Sequence, residues 1–117
     1  MQEIKATVFF NKFPAGELTK NSSGYVFQYM ESFLNDSKFP AISLSFPKQA
    51  EPFHSKYLFP FFFGLLSEGE NKDIICRVYK IDQNDYFTLL LESANYDTIG
   101  PITVWPNDKD WRRIKIS

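Results

Sequence analysis

Residues 57–69 read Tyr-Leu-Phe-Pro-Phe-Phe-Phe-Gly-Leu-Leu-Ser-Glu-Gly, and this stretch decides more about the fold than any other. Its first ten residues are apolar or are Gly or Pro, and a polar tripeptide follows at once. A continuous apolar run does not fit the half-exposed face of an amphipathic element, so it lies in a core or against a partner. It is shorter than the roughly 20 residues of a membrane-spanning helix. The residues we expect to be mainly buried are Phe61, Phe63, Leu65 and Leu66.

The composition describes one small domain with almost no net charge. The chain has 117 residues, of which 44% are hydrophobic and 18% aromatic, so it builds one modest core in which 13 Phe bury large areas. The formal net charge is −1, and basic residues cluster only at Arg112, Arg113 and Lys115. Because DNA binding normally requires a strong basic patch, we expect no direct contact with nucleic acid.

Cysteine usage and the N-terminus indicate a cytoplasmic protein. Cys76 is the only cysteine, which excludes a disulfide within the chain and fits a reducing compartment. The first five residues carry no signal-peptide pattern, and no segment predicts a membrane anchor. We expect a domain over residues 1–106 and a C-terminal tail over 107–117 that adds an edge strand.

Alternating and β-branched segments predict strands before and after the apolar run. The clearest alternation places Tyr25, Phe27 and Tyr29 on one side. Gly16 suits a turn or bulge, and residues 21–24, Asn-Ser-Ser-Gly, are typical of a turn. Strands are predicted at residues 4–10, 17–20, 25–29, 42–46 and 102–105, with a possible edge strand at 111–116.

The remaining segments predict short helices and loops. One helical turn is expected at 31–34, and a loop at 48–53. A helix within 54–66 restarts at Pro60, because proline prefers the first helical turn. Helical spacing also appears at 71–80 and at 86–93, the latter with Tyr86, Leu89, Leu90 and Ser93 along one face. The predicted fold class is α+β, a small antiparallel β-sheet or partial barrel packed with two to three short helices.

The residue inventory predicts neither an enzyme nor a cofactor or metal site. With His54 as the only histidine and Cys76 as the only thiol, multi-His and Cys/His metal sites are excluded. His54 has no nucleophile-elbow signature near it and is interpreted as a surface or helix-capping residue. Phosphate-binding glycine motifs are missing from the sequence. The acidic pairs Glu68/Glu70 and Asp82/Asp85 fit solvated turns and helix caps.

Two features are candidate contacts to a partner. The first is the polar segment after the apolar run, which is either a solvated connector or a loop that docks into a partner. The second is a pair of tryptophans near the C-terminus, for which core packing and interface anchoring are equally open. The candidate interface residues are Ser67, Glu68, Gly69, Glu70, Trp105 and Trp111.

The order of several short motifs resembles the N-terminal subdomain of HipA-family serine/threonine kinase toxins. Residues 61–69, Phe-Phe-Phe-Gly-Leu-Leu-Ser-Glu-Gly, resemble the family's FFxGLLPEG signature, and residues 42–47, Ile-Ser-Leu-Ser-Phe-Pro, its iSlslP element. Further matches are the G-x-L turn at 16–18, the F-x-Y strand at 27–29, and the closing pattern at 85–90 and 97–100. Ser67 replaces the usual Pro, and Glu70 stands where a large residue such as Trp is frequent.

The resemblance implies a non-catalytic domain, because the family's ATP-binding and catalytic residues belong to a larger kinase core. A stand-alone subdomain of this kind resembles the small protein of split HipBST-type toxin–antitoxin systems. The implied role is to bind and restrain a HipT-like kinase in trans, in a ternary complex with a HipB-like DNA-binding protein. The alternatives are a structural or activating subunit that completes the kinase fold and, last, an independent enzyme.

Overall fold

An antiparallel sheet of five strands packs one of its faces against three short helices. The computed structural model describes residues 3–64, 86–92 and 101–108. The strands are β1 (Ile4–Phe10), β2 (Phe13–Asn21), β3 (Gly24–Tyr29), β4 (Phe53–Ser55) and β5 (Ile102–Pro106), in the order β4-β3-β2-β1-β5. The helices are α1 (Glu31–Leu34), α2 (Pro60–Phe63) and α3 (Tyr86–Glu92). This arrangement confirms the predicted α+β class and the antiparallel sheet.

Two tight turns connect the first three strands. Asn11 has φ of 56° in the β1–β2 turn, a left-handed conformation that Asn tolerates, and its N–H donates to the Pro101 carbonyl at 2.8 Å. In the β2–β3 turn the Asn21 Oδ1 accepts from the Ser23 N–H at 2.8 Å. Gly24 has φ of 137°, and a Cβ there would lie 2.3 Å from the Ser55 carbonyl oxygen. The predicted turn at 21–24 is therefore confirmed, and its last position requires glycine.

A bulge in β2 makes room for the centre of the core. Val8 pairs with Gly16 and Phe9 pairs with Pro14, so Ala15 is an extra residue on β2. A Cβ on Gly16 would lie 2.7 Å from the Phe27 ring and 2.6 Å from the Gln28 carbonyl oxygen. Glycine at this predicted bulge therefore allows the Phe27 ring to cross β2 and remain fully buried.

Each helix rests on a different aromatic ring of β3. The Tyr25 ring contacts Phe87 of α3 with centroids 5.6 Å apart, and the Phe27 ring contacts Phe62 of α2 at 5.6 Å. The Tyr29 ring stacks on Phe33 of α1 at 5.8 Å. The predicted alternation of β3 is confirmed, and it positions all three helices on one face, here called the inner face.

Most of the described elements agree with the sequence predictions, and two do not. The helical turn at 31–34, the helix start at Pro60, the helix at 86–92 and the strand at 102–106 are confirmed. Residues 53–55 form a strand rather than a loop and the start of a helix, because they pair with β3 through Phe27–Phe53 and Val26–His54. Residues 42–46 form a turn instead of a strand, as described below.

Several predictions lie outside the described residues. They are the helix at 71–80, the tail strand at 111–116, and the burial of Phe63, Leu65 and Leu66. Among the described side chains of α3, Phe87, Leu90 and Leu91 are buried, and of these only Leu90 belongs to the face that the sequence predicted. Phe61 is partly buried and packs against the core.

Candidate partner interface

Only one of the six predicted interface residues lies in the described part of the chain. Ser67, Glu68, Gly69, Glu70 and Trp111 fall outside it. Trp105 is on β5, which forms one edge of the described sheet, and its side chain is 45% exposed. Its neighbours Ile102 and Val104 are buried, so alternation places Trp105 on the opposite, outer face of the sheet.

The outer face around Trp105 is polar and charged. Trp105 pairs with Thr7, Thr7 with Glu17, and Glu17 with Gln28, which makes one row across four strands. Lys5 Nζ lies 3.9 Å from a Glu17 carboxylate oxygen, and both side chains are about half exposed. The Thr7 Oγ1 donates to Asn107 Oδ1 at 2.5 Å. The row from Trp105 to Gln28 thus has the composition of a solvated surface with one large aromatic residue, Trp105, at its edge.

The segment that leads to the predicted contact loop begins on the other side of the sheet. Helix α2 starts with Pro60 at its first position and buries Phe62 completely. Phe59, just before the helix, is also buried, and its ring centroid lies 6.1 Å from that of Phe62. The two rings hold the chain where it leaves α2 at Gly64. The structure therefore places Trp105 and the end of α2 on opposite faces of the sheet.

The predicted strand at 42–46 is a clamped turn, and this is the main correction to the sequence analysis. The Phe46 N–H donates to the Ser43 carbonyl at 3.0 Å, and the Ser45 N–H donates to Ser43 Oγ at 3.1 Å. We call residues 43–46 the Leu44 turn. Leu44 is 103% exposed at its tip, whereas the flanking Ile42 and Phe46 are buried.

The Tyr29 hydroxyl clamps both ends of the Leu44 turn. It accepts a hydrogen bond from the Ile42 N–H at 3.1 Å and donates a short one to the Phe46 carbonyl. Burial raises the pKa of the Tyr29 phenol, and the Ile42 N–H partly offsets this rise. The hydroxyl therefore stays protonated and bridges two backbone groups that pairing within a strand would otherwise satisfy.

A strict apolar–polar alternation misled the sequence analysis here. Ile42, Leu44 and Phe46 have the two-residue period of a half-buried strand, which predicts burial of all three. The serines at 43 and 45 and the proline at 47 were the available signal for a turn, because serine hydroxyls satisfy nearby backbone groups and proline ends a strand. The exposed Leu44 is the functional candidate that sequence reasoning missed.

The Leu44 turn joins α2 in an uncharged surface. The buried Phe46 ring lies 5.1 Å from Phe59, 5.6 Å from Phe62 and 5.8 Å from Phe61 between centroids. Around Phe46 the surface carries exposed Leu44, Pro47 and Pro60 together with the partly buried Phe61. We call these four residues the Phe46 patch.

A shallow cleft of about 410 Å³ opens at the other end of β3. It lies between the β2–β3 turn and the end of β4, where His54 and Lys56 line it. His54 is exposed, as the sequence analysis expected for a surface histidine. Within the described ranges, no three His, Cys, Asp or Glu side chains form a group that would hold a metal ion. Among the same residues, no helix has the length and apolar content to cross a membrane.

Comparison with known proteins identifies one family over nearly the whole chain. The family model of the HipA N-terminal domain matches residues 6–105. The solved structure of an "N-terminal domain of HipA toxin" superposes with a TM-score of 0.64 at 29% identity, covering 91% of this chain and 94% of that one.

Two curated proteins match by sequence. An "Uncharacterized protein" of Haemophilus influenzae is 37% identical over 89 residues, which cover 76% of this chain and 79% of that protein. The "Putative kinase Y4mE" of Sinorhizobium fredii is 31% identical over 96 residues, which cover 81% of this chain but 23% of the rhizobial protein. The chain therefore corresponds to about a quarter of that relative.

Proposed function

The chain belongs to the HipA N-terminal domain family, and on this basis we propose that it is a non-catalytic, antitoxin-like component that binds and restrains a HipT-like or HipA-like serine/threonine kinase in trans. Family membership, with the HipA toxin domain as a structural match, links the chain to toxin–antitoxin systems. One observation carries the proposal. In the rhizobial relative named as a kinase, the matching residues make up 23% of a longer polypeptide.

The physical basis is the reuse of one surface. A domain that packs against the rest of its own polypeptide in a fused relative needs the same contacts when it acts as a separate chain. Such contacts are charge-depleted and rich in aromatic residues at their centre. The Phe46 patch fits that composition, since it consists of one Leu, two Pro and one Phe.

Ser67, Glu68, Gly69 and Glu70 are proposed to contact the kinase near its active-site cleft. They follow α2 in the chain by three residues, and α2 is held by two buried rings. Glu68 and Glu70 carry charge complementary to a cleft that binds anionic nucleotide through Lys, Arg and Mg²⁺. Gly69 supplies the backbone freedom to fit a groove.

The test of this contact is the double variant Glu68→Ala/Glu70→Ala. We expect an unchanged melting temperature, weaker binding to the kinase and loss of growth rescue. If binding and rescue both equal those of the wild type, the segment is a connector, and Trp105 and Trp111 become the next candidates for the inhibitory contact. A lower melting temperature would show instead that the carboxylates stabilise the fold.

Co-expression with the HipA-type kinase of the same genome tests the function as a whole. We expect the chain to co-purify with the kinase and to restore the growth that the kinase alone suppresses. The second candidate function, a structural or activating subunit, is favoured by the fused arrangement in the rhizobial relative. This second function predicts the opposite effect of co-expression on growth, with toxicity only when both chains are present. We further propose a cytoplasmic location, no direct DNA binding, and a ternary complex that includes a HipB-like DNA-binding protein.

A further inference from the structure

Two uncharged segments of the chain meet at the Phe46 ring. Residues 39–47 and 57–64 contain no charged residue, in a chain that is 23% charged. The nearest charged residue after the first segment is Lys48, and its Nζ donates to the carbonyls of Asp36 and Phe39 at 3.0 and 2.9 Å. Its charge is thus directed to the loop at 36–39. Depletion of charge at a surface is the compositional mark of an interface centre.

The Leu44 turn has an ordered backbone and an apolar side chain that is exposed to water. A single exposed leucine on a loose loop is ordinary and has no functional meaning. Leu44 differs because its turn is restricted by two internal hydrogen bonds, by one that the Tyr29 hydroxyl donates and one that it accepts, and by the buried Phe46 ring. A backbone that is already ordered loses less conformational entropy on binding, which favours this position as an interface anchor.

Two of the three other exposed large apolar side chains among the described residues have local explanations, and the third, Trp105, lies on the outer face. Phe13 is 54% exposed, and its ring packs on Phe39 with centroids 5.1 Å apart. Tyr57 carries its own hydroxyl, and Lys56 Nζ lies 5.8 Å from the centre of its ring. Leu44 has neither a polar group nor a ring neighbour, so burial against a partner is the change that would remove its apolar surface from water.

We propose that Leu44 is the apolar anchor of the kinase interface and inserts into an uncharged pocket of the kinase, with Pro47, Pro60 and Phe61 forming the surrounding contact surface. This inference rests on the proposed function and adds a second point of contact to it. The kinase is the occupant because, in the rhizobial relative named as a kinase, the matching residues are 23% of a longer polypeptide, and a charge-depleted apolar surface fits the packing of such a domain against the rest of its chain.

Three single variants test the anchor against a catalytically inactivated form of the same kinase. Leu44→Ser removes the apolar group, Leu44→Met keeps it, and Phe13→Ser removes an exposed aromatic ring from the β1–β2 hairpin. Melting temperature is measured for each variant first, and the dissociation constant by calorimetry second. We expect Leu44→Ser to weaken binding by at least about tenfold, the scale of an interface anchor, with no loss of melting temperature. Leu44→Met and Phe13→Ser are expected to bind within about twofold of the wild type.

The outcomes separate this inference from the function it rests on. If the wild-type chain binds the kinase and Leu44→Ser binds it equally well, the anchor role of Leu44 is wrong, whereas the proposed kinase partner still stands. If the wild-type chain does not bind the kinase at all, the proposed function fails and the anchor fails with it. If the chain alone forms dimers that Leu44→Ser converts to monomers, the patch serves a second copy, which also overturns the proposal. Protection of the 43–46 amides from hydrogen exchange in the kinase complex alone would support it.

Discussion

The two sides of this small sheet show how differently one alternating pattern can be used. On the outer face, the row from Trp105 to Gln28 passes Thr7 and the Lys5–Glu17 ion pair, and these side chains reach water. On the inner face the alternate residues are aromatic rings that hold three helices. Along this row, alternation places mostly polar side chains on the side that faces water.

The inner side differs because its core continues to the surface. Phe46 is 3% exposed, yet Pro47 next to it is exposed, and so is Leu44 two residues before it. On this side, the residues that pack the core therefore adjoin the residues of the proposed contact surface. Substitutions can test this contrast, because stability and binding should respond together at Phe46 and separately at Leu44.

The largest effect is expected for Phe46→Ala. The substitution removes a ring that lies within 5.8 Å of Phe27, Phe53, Phe59, Phe61 and Phe62 between centroids. Truncation of a buried Phe lowers the free energy of unfolding by about 3–5 kcal/mol, which urea denaturation measures. The matched control is Leu44→Ala on the same turn, with an expected change within about 0.5 kcal/mol. Equal losses from the two variants would show that the turn is not anchored by Phe46.

A smaller effect is expected for Tyr29→Phe. It leaves the Ile42 N–H and the Phe46 carbonyl without their hydroxyl partner and lowers the free energy of unfolding by about 1–3 kcal/mol. Because the Leu44 turn loses its clamp, hydrogen exchange at residues 43–46 should accelerate more than exchange in β1. Uniform acceleration across the sheet would contradict a local clamp. Kinase binding should weaken in the same variant although Leu44 itself is unchanged.

The same variant predicts a pH dependence. The folded-state pKa of Tyr29 is raised above its ordinary value of 10.0, chiefly by burial. The folded protein therefore keeps the proton where the unfolded chain releases it, and stability falls as the pH rises above about 10 through the folded-state pKa. Below about pH 10 the contribution of the protonated Tyr29 to the free energy of unfolding is fully present and constant. Denaturation curves at pH 8 to 11 should fall more steeply for the wild type than for Tyr29→Phe, and parallel curves would refute the assignment.

The smallest effect is expected on the outer face for Lys5→Ala. The ion pair with Glu17 spans 3.9 Å between two half-exposed side chains, a distance and exposure at which water screens most of the attraction. We expect the free energy of unfolding to change by less than about 0.5 kcal/mol. We also expect unchanged kinase affinity. A tenfold loss of affinity in Lys5→Ala would instead indicate that the kinase binds the outer face, next to Trp105.

Local sequence signals were enough where a residue's neighbours along the chain decide its conformation. Asn21 and Gly24 close a turn because their side chains, or the lack of one, permit it. Pro60 begins α2 because its ring fixes the backbone for a first helical turn and donates no hydrogen bond there. The alternation in β3 correctly identified the core face, since side chains two residues apart in a strand lie on the same face of the sheet. The family resemblance likewise followed from ordered motifs that need no structure.

Only the tertiary structure decided the features that depend on distant partners. Residues 53–55 are a strand because β3 offers them a free edge, and three residues are too few to reveal this by pattern. Trp105 lies on the outer face because the register of β5 against β1 turns Val104 inward. Leu44 faces water because the Tyr29 hydroxyl, thirteen residues from Ile42, clamps the backbone on both sides. A two-residue period records which side chains are apolar, but the hydrogen-bond partner of the backbone determines whether that segment extends or turns.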